Sequence, residues 1–405
     1  MPNFSGVWSL SSQLQAIGDQ TWPMSPAAPT SVSAAAGNTQ VTISFSAPSF
    51  EGIPTPITGY LATSTPGNYT ATGSSSPLTV TGLTNGTAYT FSVQATNAVG
   101  YGVAGTSGSV SPSLPPRGLF AGGRTGTRTN VIDYILITTT GNATDFGDLT
   151  VARQISPSLI SSNTRTVFNA GYEGTSAQPT TMDYVTTATT GNATDFGDLT
   201  VGRYGASGCS NQTRGLIMGG DQASGTDNTI SYITIASTGN GSNFGDLTTA
   251  PLNSGGSSSP TRGVRMGGNS SNVIDYVTIA SVGNATDFGD MAGEGGYNPS
   301  GANSNTRICI GGAGGDSGLI NVIQYITTAS TGNTSDFGDL LAVTQGAGGT
   351  SNSTRGVYGG GETSSGRVTT IQYITISSTG NATNFGNLTE ARHTIGCGSS
   401  THGGL

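Results

Sequence analysis

Three observations predict an all-β protein for this 405-residue sequence. Gly 65 and Pro 17 together make about a fifth of the chain, and charged residues are only 8%, against about 25% in ordinary soluble proteins. The rest is rich in Thr, Ile, Val and Tyr, the residues of strands joined by tight turns. From residue 117 onward one phrase, TRGxxxGG…IxYITxASTGNATDFGDLT, returns six times, and each return alternates apolar and polar residues with period two. The predicted fold class is therefore all-β, an Ig-like sandwich followed by a six-bladed β-propeller closed by a C-terminal strand. The composition excludes a helical bundle, a coiled coil and a chain disordered throughout.

Charge narrows the function classes. There is no lysine, so all 13 basic residues are arginines, and the net charge is −8. A nucleic-acid binder needs a basic stripe to neutralise phosphates, and none is present. No run of 18 apolar residues occurs to span a bilayer. The opening MPNFSGVWSLSSQLQ lacks the basic and apolar regions of a secretory signal, so synthesis in a cytoplasm is expected. Cys209, Cys309 and Cys397 are odd in number and far apart, which predicts free thiols.

In chain order, residues 1–26 read as an anchoring segment. Leu10, Leu14 and Ile17 fall at i, i+4 and i+7, with Ser9 as N-cap and Gly18 as stop. Trp8 and Trp22 flank this helix, which is too short to fold alone. Docking into a larger assembly is the expected role, because Trp is a frequent binding anchor; deleting residues 1–26 should then leave a folded protein. The phrase resembles the starts of structural proteins from marine tailed bacteriophages. Residues 27–115 carry VTISF (41–45), PITGYLAT (56–63) and LTVTGLTNGTAYTFSVQATNAVG (78–100). They resemble a fibronectin type III domain, with Leu83 and Tyr89 at the tyrosine-corner position and Phe45 in place of the usual Trp.

Residues 116–405 hold the repeat. Its opening arginines are Arg117, Arg165, Arg214, Arg262, Arg307 and Arg355, spaced 48, 49, 48, 45 and 48, a period that suits four-stranded propeller blades. In each unit a strand ends in a glycine pair (GLIMGG, 215–220) and a third strand alternates (TISYITIAS, 229–237). The outermost strand starts at FGDLT, and the innermost is the small-residue stretch before the next TR. The Gly-Gly pair, the Tyr and the later aromatic resemble the Kelch repeat, with Phe where that family carries Trp and the following Arg present only as Arg153, Arg203 and Arg392. The resemblance implies a six-bladed propeller. ARHTIGCGSSTHGGL aligns with GRYGASGCSNQTRGL, which predicts that the C-terminus supplies the missing strand of the first unit.

The chemistry of an enzyme is not expected. The only histidines, His393 and His402, read as loop or strand-end residues, and HExxH, GxSxG, P-loop and CxxC motifs are missing. No cofactor is implied. DFGD suggests calcium at Asp145/Asp148, Asp195/Asp198, Asp287/Asp290 and Asp336/Asp339. Asn243, Asn384 and Asn387 replace Asp while the phrase survives, so a turn is the better reading and no metal is expected. The sequons at Asn142, Asn192, Asn284 and Asn381 likewise read as turns.

In an up-down meander, alternate loops share a face. The innermost-to-second turns (SNQTR) and third-to-outermost turns (TGNATDFG) are nearly uniform; the other loops vary. Variety suits recognition. The candidate binding residues on that face are Arg124, Arg128, Tyr172, Glu173, Tyr204, Asp221, Asp227, Tyr297, Asp316, Glu362 and Arg367. The linker SPSLPP (111–116) enters the uniform face, which predicts varied loops directed away from the sandwich. The opening arginines should be structural, pairing as Arg165 with Asp195 or with a neighbouring unit's turn carbonyls. The function expected is a virion appendage: fibre, neck or capsid decoration, in many copies. Residues 1–26 would contact other virion proteins and the varied face a host surface glycan or protein. The alternatives are a bacterial surface or matrix protein that binds polysaccharide, and a decoration without a receptor.

Overall fold

The computed structural model describes residues 9–19, 22–53, 56–174, 178–268, 271–293, 296–315 and 318–405. The chain divides into two units, Met1–Pro115 and Pro116–Leu405.

In the first unit, helix α1 (Leu10–Gly18) starts at Ser9, whose Oγ accepts from the Ser12 N–H at 3.2 Å. Seven strands follow: β1 (Thr30–Gly37), β2 (Gln40–Ser46), β3 (Gly59–Thr65), β4 (Thr70–Gly73), β5 (Leu78–Thr81), β6 (Thr90–Asn97) and β7 (Gly100–Thr106). They form two antiparallel sheets, ordered β1-β2-β5 and β4-β3-β6-β7. The alternation of VTISF and TFSVQATN buries one face of each sheet, giving a core of Val41, Ile43, Leu78, Val80, Phe91 and Val93. Phe45, expected in place of the usual Trp, packs at 4.7 Å on Tyr60. The Tyr89 hydroxyl accepts from the Thr84 N–H at 3.1 Å, the corner expected from Leu83 and Tyr89.

Residues just before position 27 also pack on the sandwich. Met24 and Ile53 exchange backbone hydrogen bonds at 2.8 Å, and Asn97 Nδ2 donates to the Met24 carbonyl at 2.9 Å. Pro26 lies against Gly102 so closely that a Cβ there would stand 1.9 Å from its carbonyl oxygen.

Among the described residues the second unit contains six larger antiparallel sheets, five of them four-stranded, and two two-stranded ribbons, Asp221–Gln222 with Gly225–Thr226 and Glu362–Thr363 with Gly366–Arg367. Their innermost strands are Ser207–Ser210, Gly255–Ser258, Ser300–Asn303, Gly348–Ser351 and Gly396–Ser399. Gly396–Ser399 pairs with Arg117–Ala121, so the last strand completes the first sheet. The second sheet has three strands. Its innermost stretch is SLIS (158–161), held by the isolated bridges Ser158–Gly208, Leu159–Cys397 and Ser161–Thr166. Leu159 stands where the other units have Gly208, Gly256, Gly301, Gly349 or Cys397, and Ile160 where they have Cys209, Ser257, Ala302, Thr350 or Gly398; the two insert into different apolar clusters, which pulls the backbone off the ladder.

Six apolar clusters, each shared by two consecutive sheets, link the sheets in cyclic order, the sixth to the first. Every third-to-outermost pairing shifts register at the Phe of the FG pair. This bulge turns the Phe ring edge-on to its unit's Tyr, with centroids 5.8–6.1 Å apart. The next Gly, as at Gly147 (φ +143°), lies against the following unit, where a Cβ would meet Gly191 at 2.5 Å. There the Gly191 N–H donates to the Phe146 carbonyl, and Asn192 Oδ1 accepts from the Asp148 N–H at 3.1 Å. The same clamp recurs in the other five units. The GNATDFGD phrase is thus an inter-sheet joint.

Each opening arginine donates to a carbonyl of the next sheet at 2.7–3.1 Å, from Arg117 to Thr187 through Arg355 to Ile137. Each also stacks on its own unit's Tyr at 4.2–4.6 Å. Arg165 reaches Ile235 rather than Asp195; the exposed Asp side chain offers less than a carbonyl already fixed in the joint. Cys209, Cys309 and Cys397 are free and buried, and burial pushes the Cys209 and Cys309 thiols up to about 12.

Polar residues close the centre. Ser161, Ser210, Ser258, Asn303, Ser351 and Ser399, one from each sheet, are fully buried. Hydrogen bonds run round them, as from Ser258 Oγ to the Ser210 carbonyl at 2.7 Å and from the Ser399 N–H to Ser161 Oγ at 3.1 Å. His402 sits against this ring, its Nε2 3.3 Å from both Ser210 Oγ and the Ser161 carbonyl.

Candidate binding surface

The loops that vary in sequence are held by short backbone bridges. After five of the six outermost strands a residue pairs with one at or just beyond the end of the following second strand: Gln154 with Tyr172, Tyr204 with Asp221, Tyr297 with Gly314, Gln345 with Glu362 and His393 with Arg124. These bridges place the candidates of consecutive units side by side. Arg128 lies over the Tyr172 ring at 4.5 Å, and Tyr172 packs on Tyr204 at 5.2 Å. Burial, then the hydrogen bond to Asp221, pushes the Tyr204 hydroxyl above its ordinary pKa.

A second group adjoins the first. Arg367 donates to the Thr125 carbonyl at 2.6 Å and stands 3.6 Å from Glu362, whose other oxygen is 3.8 Å from His393 Nδ1. Burial, with Arg367 and Arg124 adding to it against Glu362, holds His393 below the usual imidazole range. Arg124 and Arg128 face each other across one bridge and join the two groups.

Other candidates stand apart. Tyr297 is exposed beside Gly314. Asp227 turns inward to Gln222 and lies 3.8 Å from Arg203. Glu173 is half-buried and acts on Arg153. Asp316 lies outside the described residues. Of the anchor residues, Leu10 and Leu14 are exposed at 72% and 61%. Trp22 is half-buried, its backbone N–H donating to the Ala16 carbonyl at 3.0 Å. Trp8 and the Ile17 side chain lie outside the described residues.

His393 was missed as a member of this surface. Its place follows Arg392 as Gln154 follows Arg153 and Tyr204 follows Arg203; aligning on that Arg identifies it.

Residues 27–111 match the Fibronectin type III domain family, which agrees with the three-plus-four-strand sandwich. The chain matches no curated protein.

Proposed function

We propose that this chain is a non-enzymatic bacteriophage virion protein, a fibre, neck or capsid decoration. In this reading residues 116–405 form a six-bladed Kelch-like β-propeller whose varied loops recognise a host-surface glycan or protein. The cyclic sharing of six cores supports the propeller. The observation that carries recognition is the contrast within one unit: uniform loops are spent on inter-sheet joints, whereas the varied loops gather Arg128, Tyr172 and Tyr204 into a partly exposed group. The exposed Leu10 and Leu14 of α1 support docking to other virion proteins.

Replacing Tyr172, Tyr204 and Tyr297 together by Ala tests the reading. Tyr172 and Tyr204 pack on each other, so a loss of about 0.5–1.5 kcal/mol is expected from that pair. Attachment of particles to host cells should fall while the propeller stays folded. Full attachment by a folded triple variant would overturn recognition by this face, and absence of the chain from purified particles would overturn the virion assignment.

A further inference from the structure

Ten of the 13 arginines belong to the inter-sheet joints or to fully buried networks. Six hold the inter-sheet carbonyls, and Arg153, Arg203, Arg265 and Arg392 are fully buried in polar networks. The remaining three, Arg124, Arg128 and Arg367, fall in one patch where the sixth unit's loops meet those of the first.

Two features of the patch disfavour the fold locally. Arg124 and Arg128 are directly opposed on an antiparallel bridge, and like charges so placed repel. Arg124 is exposed, and among the described residues neither it nor Arg128 has an ion pair within 4.0 Å. The single carboxylate paired with the group is Glu362, on Arg367. Arg367 Nε, Arg128 Nε and His393 Nε2 are buried without hydrogen-bond partners. A chain of net charge −8 thus gathers the three arginines outside the joints and buried networks at one point, and local-rule violations of this kind mark sites.

We infer that Arg124, Arg128 and Arg367 form a subsite for the anionic group of an acidic polysaccharide, a carboxylate or a sulfate. Guanidinium forks take either bidentately, and Tyr172 and Tyr204 supply apolar surface beside them for a sugar ring. This rests on the recognition reading of the loop face and assigns its ligand class.

The test uses the full chain and three immobilised polymers: polygalacturonate, dextran sulfate and neutral dextran. Binding to at least one acidic polymer, and none to dextran, is expected, weakening by about tenfold or more from low to physiological ionic strength. Arg124→Gln, at an exposed side chain that holds nothing in place, should cut affinity by about tenfold with an unchanged unfolding midpoint. Preference for polygalacturonate assigns the carboxylate, and preference for dextran sulfate the sulfate. Equal binding to dextran, no binding to any polymer, or wild-type affinity in Arg124→Gln overturns the subsite. If host attachment falls in the triple Tyr variant but not in Arg124→Gln, recognition stands and the acidic-polysaccharide subsite fails. If attachment is abolished by protease treatment of the cells and not by removal of their polysaccharide, the partner is a protein and the inference fails.

Discussion

At the scale of single residues, the array trades charge between neighbouring sheets position by position. The residue before each repeat Tyr is Asp133, Asp183, Ser231, Asp275, Gln324 or Gln372. Asp133 and Asp183 bind Arg392 and Arg153, each supplied by the preceding unit, at 2.9 Å and fully buried. Before Asp275 that arginine position is Pro251, and Arg265 from the sheet's own second strand takes its place. No arginine precedes the last two units, and there the residue is Gln, with Gln324 bonded to the Ala292 backbone and Gln372 to the Leu341 N–H. Asp183→Asn should therefore cost about 3–5 kcal/mol by leaving Arg153 buried and unpaired. The double change Arg153→Leu with Asp183→Gln should cost much less in denaturant unfolding; equal costs would show that the pair is not coupled. His402 gives a pH signature. Burial holds it down to about 4, against an ordinary 6.5. The unfolded chain then binds the extra proton between these values, so stability is full above pH 6.5 and falls as pH drops to 4. The loss is on the order of 3 kcal/mol. His402→Gln should flatten that part of the curve; an unchanged slope would place the acid sensitivity elsewhere.

At the scale of elements, what repeats was legible and what is borrowed was not. The strands of the phrase, its Tyr and Phe, and the last strand were readable because six copies, or an aligned copy, carry the same pattern. The Arg–Asp pairs were not, since their members come from different units and the arginines looked sporadic. The three-stranded second sheet depended on Leu159 and Ile160, whose size matters only beside Phe120, Cys397 and Ile217. On the candidate surface, the varied loops were readable from comparison of units, but the proximity of Arg367 to Thr125, 242 residues apart, depends on cyclic order. Closure predicts its own test. Ending the chain at Thr394 removes Gly396–Ser399, exposes the edge of Arg117–Ala121 and opens the core that contains Ile395 and Cys397. Unit two should then lose its cooperative unfolding transition while the sandwich keeps one. Ending at Ser399 keeps the strand but removes His402 and should only lower the midpoint. A cooperative second transition in the shorter chain would mean that the last strand is dispensable.

At the scale of the whole molecule, four of the 13 arginines are fully buried and six more are half-buried in the inter-sheet joints, which leaves the group around Arg124. Helix α1 carries two exposed leucines but buries Ala16, and the residues between it and position 27 are tied to the sandwich. Residues 24–26 belong to the sandwich through the Met24–Ile53 pair, the Asn97 bond and the contact of Pro26 with Gly102. The single expectation that removing residues 1–26 leaves a folded protein therefore splits in two. Deletion of residues 1–21 removes α1 and should leave the unfolding midpoint of the sandwich nearly unchanged. Deletion of residues 1–26 also strips hydrogen bonds worth about 1 kcal/mol each, and at about 4–8 °C per kcal/mol for a domain of this size the midpoint should fall visibly. In the proposed virion role, the shorter deletion should abolish incorporation into particles, because it removes Leu10 and Leu14 while the sandwich stays intact. Particles that incorporate the folded, α1-less chain at wild-type level would show that the anchor lies elsewhere.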